Sequence, residues 1–244
     1  MQQTSIVLTC EHASNNIPPQ YQTVFADAQD VLTTHEGWDI GVPEVVEALA
    51  KRLDVVPHLG EYSRLLVDLN RSGHHRRLFS RYSKPLAKQQ RDEIKRLYYR
   101  PYRDAVHQNV LDVSAEHRAV HLSIHSFTPE YDGVVRQCDV GLLYDPSRPL
   151  ESEFALAFQQ DLARLLPSIK VRRNYPYTGV QDGIIPALRK RFDGDQYFGL
   201  EIEFNQALFD RPDYQADWMT IFVECLASRA LNVNHSNNSF GEHP

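Results

Sequence analysis

The sequence predicts a single α/β domain in which helices cover both faces of a mixed, mostly parallel sheet. Strand-like and helix-like segments alternate along the whole length, the pattern of a sheet layered with helices rather than of separate all-α and all-β units. The 244 residues, 42% of them hydrophobic, are enough for one large core, and no internal repeat divides the chain.

Ser5 to Cys10 is a short apolar run that empties into polar Glu11 to Asn16 and a Pro18-Pro19 break, as a buried strand feeding a loop would. Val42, Val45, Val46, Leu49 and Leu53 keep helical spacing. Tyr62 to Leu69 reads as a second β-rich run, and Gly73 to Lys84 as a basic connection. From Leu86 to about His117 the pattern is helical, with Ile94, Leu97, Tyr98, Tyr102, Ala105 and Val106 on one face and a kink or break expected at Pro101. Val120 to Ile124 and Val140 to Tyr144 are strands, after which Phe154, Phe158, Leu162 and Leu165 mark a helix stopped at Pro167. Ile169 to Arg172 and Tyr197 to Phe204 add strands. Trp218, Ile221, Phe222, Cys225 and Leu226 form the stripe of a last helix. The domain is expected over residues 1–231, followed by a polar, mobile tail over 232–244.

A formal net charge of -6 argues against nucleic acid or an anionic membrane as partner, because both carry charge of the same sign. The basic stretch Arg71, His74, His75, Arg76, Arg77, Arg81 and Lys84 is interleaved by just two aromatics, Phe79 and Tyr82, and reads as a solvated loop. Cys10, Cys138 and Cys225 are odd in number and lack paired metal-type spacing, so a reducing cytoplasm is expected. No apolar run approaches the roughly 20 residues of a membrane span, and Met1 to Glu11 has neither the basic nor the long apolar region of an export signal. A small molecule is the expected partner.

Several strand-like runs end in residues of catalytic type: Glu11-His12, Asp68-Asn70-Arg71, His125-Ser126 and Glu201-Glu203. Sites in open α/β sheets form at the carboxyl ends of strands. Two imidazoles and a carboxylate would give a zinc ion three ligands and leave a position for water, as hydrolysis requires. His12 and His125 are the natural imidazoles. Glu201 and Glu203 stand two apart on one strand, so they share a face and could form a coupled pair of raised proton affinity.

The strings Leu122-Ser123-Ile124-His125-Ser126-Phe127 and Val67-Asp68-Leu69-Asn70-Arg71 resemble those of the metallocarboxypeptidases. The wider chain resembles the N-formylglutamate amidohydrolases more closely. That likeness runs through Cys10-Glu11-His12-Ala13-Ser14-Asn15, Trp38-Asp39-Ile40-Gly41, Tyr62-Ser63-Arg64-Leu65-Leu66 and on to Arg71, Asn174-Tyr175-Pro176-Tyr177, and Glu203-Phe204-Asn205-Gln206-Ala207-Leu208. The resemblance implies a zinc-carboxypeptidase-like, phosphorylase/hydrolase-like fold. It makes His12 and His125 ligands of Zn2+, Asn70 and Arg71 the clamp on a substrate carboxylate, and Glu203 the general base. Carboxypeptidases carry a third ligand, Glu, three residues after the first His, where this chain has Asn15. Asp39 is the preferred replacement, with Glu11 and Glu36 as alternatives and a helix-capping role for Asp39 in competition. Arg64 and Arg136 are candidates for steadying an oxyanion or binding a second substrate carboxylate.

The expected activity is zinc-dependent hydrolysis of an N-acyl acidic amino acid, first of all N-formyl-L-glutamate to formate and L-glutamate. Alternatives are a carboxypeptidase-like peptidase, a deacylase of another N-acyl amino acid, and a binding module that has lost the metal.

Overall fold

The computed structural model describes residues 3–210 and 217–233. Its main sheet has six strands in the order β2-β1-β3-β8-β6-β7. These are β1 (Thr4–Cys10), β2 (His58–Leu59), β3 (Arg118–Phe127), β6 (Val140–Leu143), β7 (Val171–Arg173) and β8 (Tyr197–Asn205). The first four in spatial order are mutually parallel, whereas β6 runs antiparallel to β8 and parallel to β7. The sheet is therefore mixed and mostly parallel, as expected. A small antiparallel hairpin, β4 (Glu130–Tyr131) with β5 (Val134–Val135), stands apart from it.

The period of two along β1, β3 and β8 sorts the side chains between two faces. Ile6, Leu8, Val120, Leu122, Ile124, Phe198, Leu200, Ile202 and Phe204 bury one face against α2 (Val42–Leu53), α5 (Pro149–Leu165) and α7 (Trp218–Leu231). The intervening residues Val7, Ala119 and Tyr197 start the other face and pack on α4 (Arg100–Ser114) and α6 (Ile184–Arg189). Further along the same strands that second face turns polar, with Thr9, His121, Ser123, His125, Glu201 and Glu203. Burying one Leu or Ile contributes about 1.5–3 kcal/mol, so the first face holds the domain together and the far half of the second face is left for chemistry.

Two expectations need correction or refinement. Tyr62 to Leu69 is a chain of turns, not a strand. Its backbone is satisfied locally: Leu66 N donates to Ser63 O at 2.9 Å, Asp68 N to Leu78 O at 2.9 Å, and Ser83 Oγ donates to Leu65 O at 3.0 Å. Its apolar residues serve a separate cluster with Tyr21, Phe25, Leu78, Ile94 and Tyr99, which is why the run is apolar without pairing in the sheet. The long helical segment is α3 (Lys88–Ile94), a π-turn over Lys95–Tyr99 and then α4. The π-turn ends two residues before Pro101, with Arg100 N donating to Lys95 O, so the break expected there is a local change of helical winding and not an interruption. A short helix α1 (Gln29–Leu32), the 3-10 segment before it and α6 were not anticipated from the sequence. The tail expected over 232–244 lies, beyond residue 233, outside the described residues. Among the described residues no helix is long and apolar enough to cross a membrane.

Candidate metal centre and active-site pocket

Strand register assembles the site. Thr9 pairs with Ser123, and His125 pairs with Glu203; two residues beyond Thr9, Glu11 comes alongside His125. His12 follows in the turn just beyond β1. Asp39 is brought in by a backbone bond, Asp39 N to His12 O at 3.0 Å, and by the turn that enters α2. Gly41 sits in that turn at φ 81°, and a Cβ there would lie 2.3 Å from the Phe209 ring. Only glycine fits both demands.

His12, Asp39 and His125 offer ligand atoms that all lie within 4.8 Å of one another, and all three are buried. The Nδ1 atoms of His12 and His125 converge on Asp39 Oδ2, at 3.3 Å and 2.8 Å. Bonds of 2.0–2.1 Å to a tetrahedral zinc ion imply ligand-to-ligand distances of about 3.3 Å; the His12–Asp39 pair stands at that spacing, and the His125–Asp39 pair, at 2.8 Å, would open slightly to admit such an ion. The outward Nε2 atoms are held as metal-binding histidines require. That of His12 lies 2.8 Å from Asp68 Oδ1, and that of His125 lies 2.9 Å from Glu11 Oε2.

Burial opposes the charge on Glu11, Asp39 and Asp68. Even so, the imidazoles, joined by Arg64 at Asp68, hold all three carboxyls well below the usual carboxylate range. Burial likewise opposes a charged His125, yet its hydrogen bonds to Asp39 and Glu11 push that imidazole upward.

Glu203 is the opposite case. It is 6% exposed, and its Oε2 is buried without a hydrogen-bond partner. Burial pushes it up to about 7, with His125 and Arg64 opposing and Asp39 and Glu201 adding to the rise. Burial raises Glu201 as well.

A cavity of about 500 Å³ opens on these groups, and the residues given first-choice roles from the sequence line it: His12, Asp39, His125, Asn70, Arg71, Arg64, Arg136 and Glu203. Their engagements differ. Arg64 reaches Asp39 Oδ1 at 3.2 Å and Asp68 Oδ2 at 3.5 Å, so its guanidinium orients the carboxylates around the centre. Asn70 accepts from Ile184 N at 2.8 Å, and its Nδ2 lies 3.3 Å from His125 Nε2. Arg71 Nη1 donates to the Asp182 carbonyl at 2.7 Å, while its buried Nε makes no hydrogen bond and faces Asp68 Oδ2 at 3.8 Å. Arg136 stands among three rings, with its Cζ 5.4, 5.0 and 5.2 Å from the centroids of Phe127, Tyr131 and Tyr177, and donates to Tyr177 OH at 3.0 Å.

The alternative candidates for a third ligand stand apart from this group. Glu36 is exposed and pairs with Arg81 at 3.3 Å, while Glu11 stands behind His125 rather than beside the Nδ1 atoms. Asp39 does not cap α2, whose N-cap is Gly41 with no side-chain bond. Sequence reasoning gave no role to Asp68, Ser123, Tyr102 or Tyr177. The polar residues spaced by two in His121-Leu122-Ser123-Ile124-His125 were the available signal for Ser123, and Asp68 was visible two residues before Asn70.

Fold and site together define an α/β protein with a candidate mononuclear metal centre at the carboxyl ends of parallel strands, where such sheets place their ligands. The chain belongs to the N-formylglutamate amidohydrolase family, whose sequence model matches residues 4–209. Among solved structures, a gene product of Agrobacterium tumefaciens is similar with TM-score 0.75 and 29% identity, over 94% of this chain and 91% of that one. An N-formylglutamate amidohydrolase from Ralstonia eutropha JMP134 shares the fold with TM-score 0.66 and 16% identity, over 96% and 93% of the two chains. No curated protein sequence matches it significantly.

Proposed function

We propose that the chain is a zinc-dependent amidohydrolase that removes a small acyl group from an N-acyl acidic amino acid, with N-formyl-L-glutamate as the first candidate and formate and L-glutamate as products. The observation that carries this reading is the convergence of the His12, Asp39 and His125 donors with Glu203 and cationic side chains in one cavity. His12, Asp39 and His125 would hold Zn2+, which when bound would supply Lewis acidity toward the acyl oxygen and toward water. Glu203 accepts a proton from the attacking water and returns it to the leaving amine nitrogen, a task suited to a carboxyl that burial has raised toward neutrality.

Arg71, helped by Asn70, binds the α-carboxylate; its buried Nε makes no hydrogen bond, although it faces Asp68 Oδ2 at 3.8 Å. Arg136, braced by its three rings, steadies the developing oxyanion. A guanidinium already tied to Asp39 and Asp68 is poorly placed to grip substrate, so Arg64, first considered a substrate contact, is assigned to orienting those carboxylates. A reducing cytosol belongs to the same reading, supported by three cysteines that are all buried and unpaired.

The test is amine release by the zinc-loaded protein from formyl, acetyl and succinyl derivatives of Glu, Asp, Gln and His. Hydrolysis fastest with the glutamate and aspartate derivatives is expected. A preference for the uncharged side chains overturns the acidic amino acid, and no release from any derivative overturns the activity.

A further inference from the structure

We propose that Glu11 is a positioning residue for the metal centre, acting through Nε2 of His125 and itself locked in place by Tyr102 and Ser123. The proposal rests on the reading that His12, Asp39 and His125 hold a metal. Glu11 is fully buried, and both of its oxygens are engaged. Oε1 accepts from Tyr102 OH at 2.9 Å, while Oε2 accepts from Ser123 Oγ at 2.7 Å and lies 2.9 Å from His125 Nε2. These partners come from α4 and β3, so the carboxylate is fixed from two elements besides its own. A proton on His125 Nε2 faces this carboxylate, which leaves Nδ1 directed at Asp39 and the candidate site.

The two imidazoles are not supported equally. Asp68, behind His12, also faces Arg64 Nη2 at 3.5 Å and Arg71 Nε at 3.8 Å, so its charge is shared with two guanidinium groups. Glu11 has only hydroxyls and the His125 imidazole within hydrogen-bond reach, so its charge acts first on His125, with His121 as a weaker, more distant neighbour. A carboxylate acting on a ligand imidazole fixes its tautomer and ring orientation and raises its basicity. A carboxylate that meets no guanidinium makes His125 the stronger donor of the pair, and the lock on Glu11 makes its orientation the better defined.

The experiment is competition for Zn2+ between a chromophoric chelator and the full chain, with wild type, Glu11→Gln and Tyr102→Phe compared. Alongside it, the 15N–1H signal of the His125 ring is recorded in the zinc-loaded proteins. Glu11→Gln keeps the shape and removes the charge, and should raise the Kd for Zn2+ about ten- to a hundredfold while shifting the His125 Nε2–H resonance. Tyr102→Phe leaves the charge but frees Oε1, and should weaken binding by a smaller factor. Glu11→Gln that folds and binds Zn2+ as tightly as wild type, with the His125 resonance unmoved, overturns the proposal. Should Glu11→Gln fail to fold, unchanged affinity and resonance in Tyr102→Phe overturn it instead. Wild type that binds no Zn2+ sinks the metal reading itself, a result distinct from equal binding by wild type and variant.

Discussion

Glu201 and Glu203 differ by one pleat repeat, line the same cavity and are both raised by burial, so the assignment of the base turns on their neighbours. Glu203 pairs in register with His125 and feels Asp39 and Arg64, whereas Glu201 pairs with Ser123 and lies toward Arg71 and Arg189. Glu203→Gln is expected to lower kcat roughly a hundredfold or more with zinc content unchanged, and Glu201→Gln far less. The reverse order, with zinc bound in both, would move the base to Glu201. The metal-free proteins give a second readout. A carboxyl raised from 4.5 to about 7 on folding stabilises the fold below the lower value, and that contribution is lost as pH rises through the higher one. Urea denaturation should therefore show Glu203→Gln gaining on wild type between pH 4.5 and 7, and gaining no more above it. At the other side of the cavity, the carboxylate clamp predicts that Arg71→Lys raises KM strongly with the fold intact, because a point charge cannot replace a bidentate fork. Equal turnover of free and amidated substrate by wild type would remove that role.

The elements that carry these residues were legible to the extent that their hydrophobic pattern was driven by the main sheet. β1, β3, β8, α2, α5 and α7 were all anticipated, because each buries a periodic face in one shared cluster. Tyr62 to Leu69 misled because its apolar residues answer to the second cluster, and periodicity cannot report which core a residue joins. The candidate third ligand was legible by type, but choosing among Glu11, Glu36 and Asp39 needed three dimensions: they lie close in sequence, and only the fold turns one behind His125 and another out to Arg81. α6 was unreadable because tertiary contacts hold its six residues. Arg189 at its end forms a two-pronged pair with Glu151 of α5, Nε to Oε1 at 2.9 Å and Nη2 to Oε2 at 2.7 Å, with side chains 6% and 0% exposed. At the other end Ile184 N donates to Asn70. Glu151→Ala leaves a buried arginine unpaired and should cost about 3–5 kcal/mol in urea denaturation. A loss below about 1 kcal/mol would mean that α6 is secured by its apolar contacts alone.

For the whole molecule, six strands in one sheet meet helices on both faces, and the reversal between β8 and β6 ends the parallel run just beside Glu203. Because β1, β3 and β8 lie in register, residues of one parity in each share a face, and that parity separates two kinds of constraint. In β3 and β8 the even-numbered residues Val120, Leu122, Ile124, Phe198, Leu200 and Ile202 belong to the core, while the odd-numbered Ser123, His125, Glu201 and Glu203 face the pocket or the groups behind it. A library of all single substitutions over residues 119–125 and 197–203, scored once for soluble yield and once for turnover, should thus give two interleaved combs. Abundance should drop at even positions, whereas the later odd positions should lose turnover at normal abundance. The two tracks should merge at Ala119, His121, Tyr197 and Gly199, where the odd face is still packed: a Cβ at Gly199 would lie 2.9 Å from Ile185 of α6, and His121 is buried between Thr9 and Tyr197. A lineage built on this sheet can therefore exchange its chemistry by editing alternate letters of two strands while the intervening letters keep the domain folded.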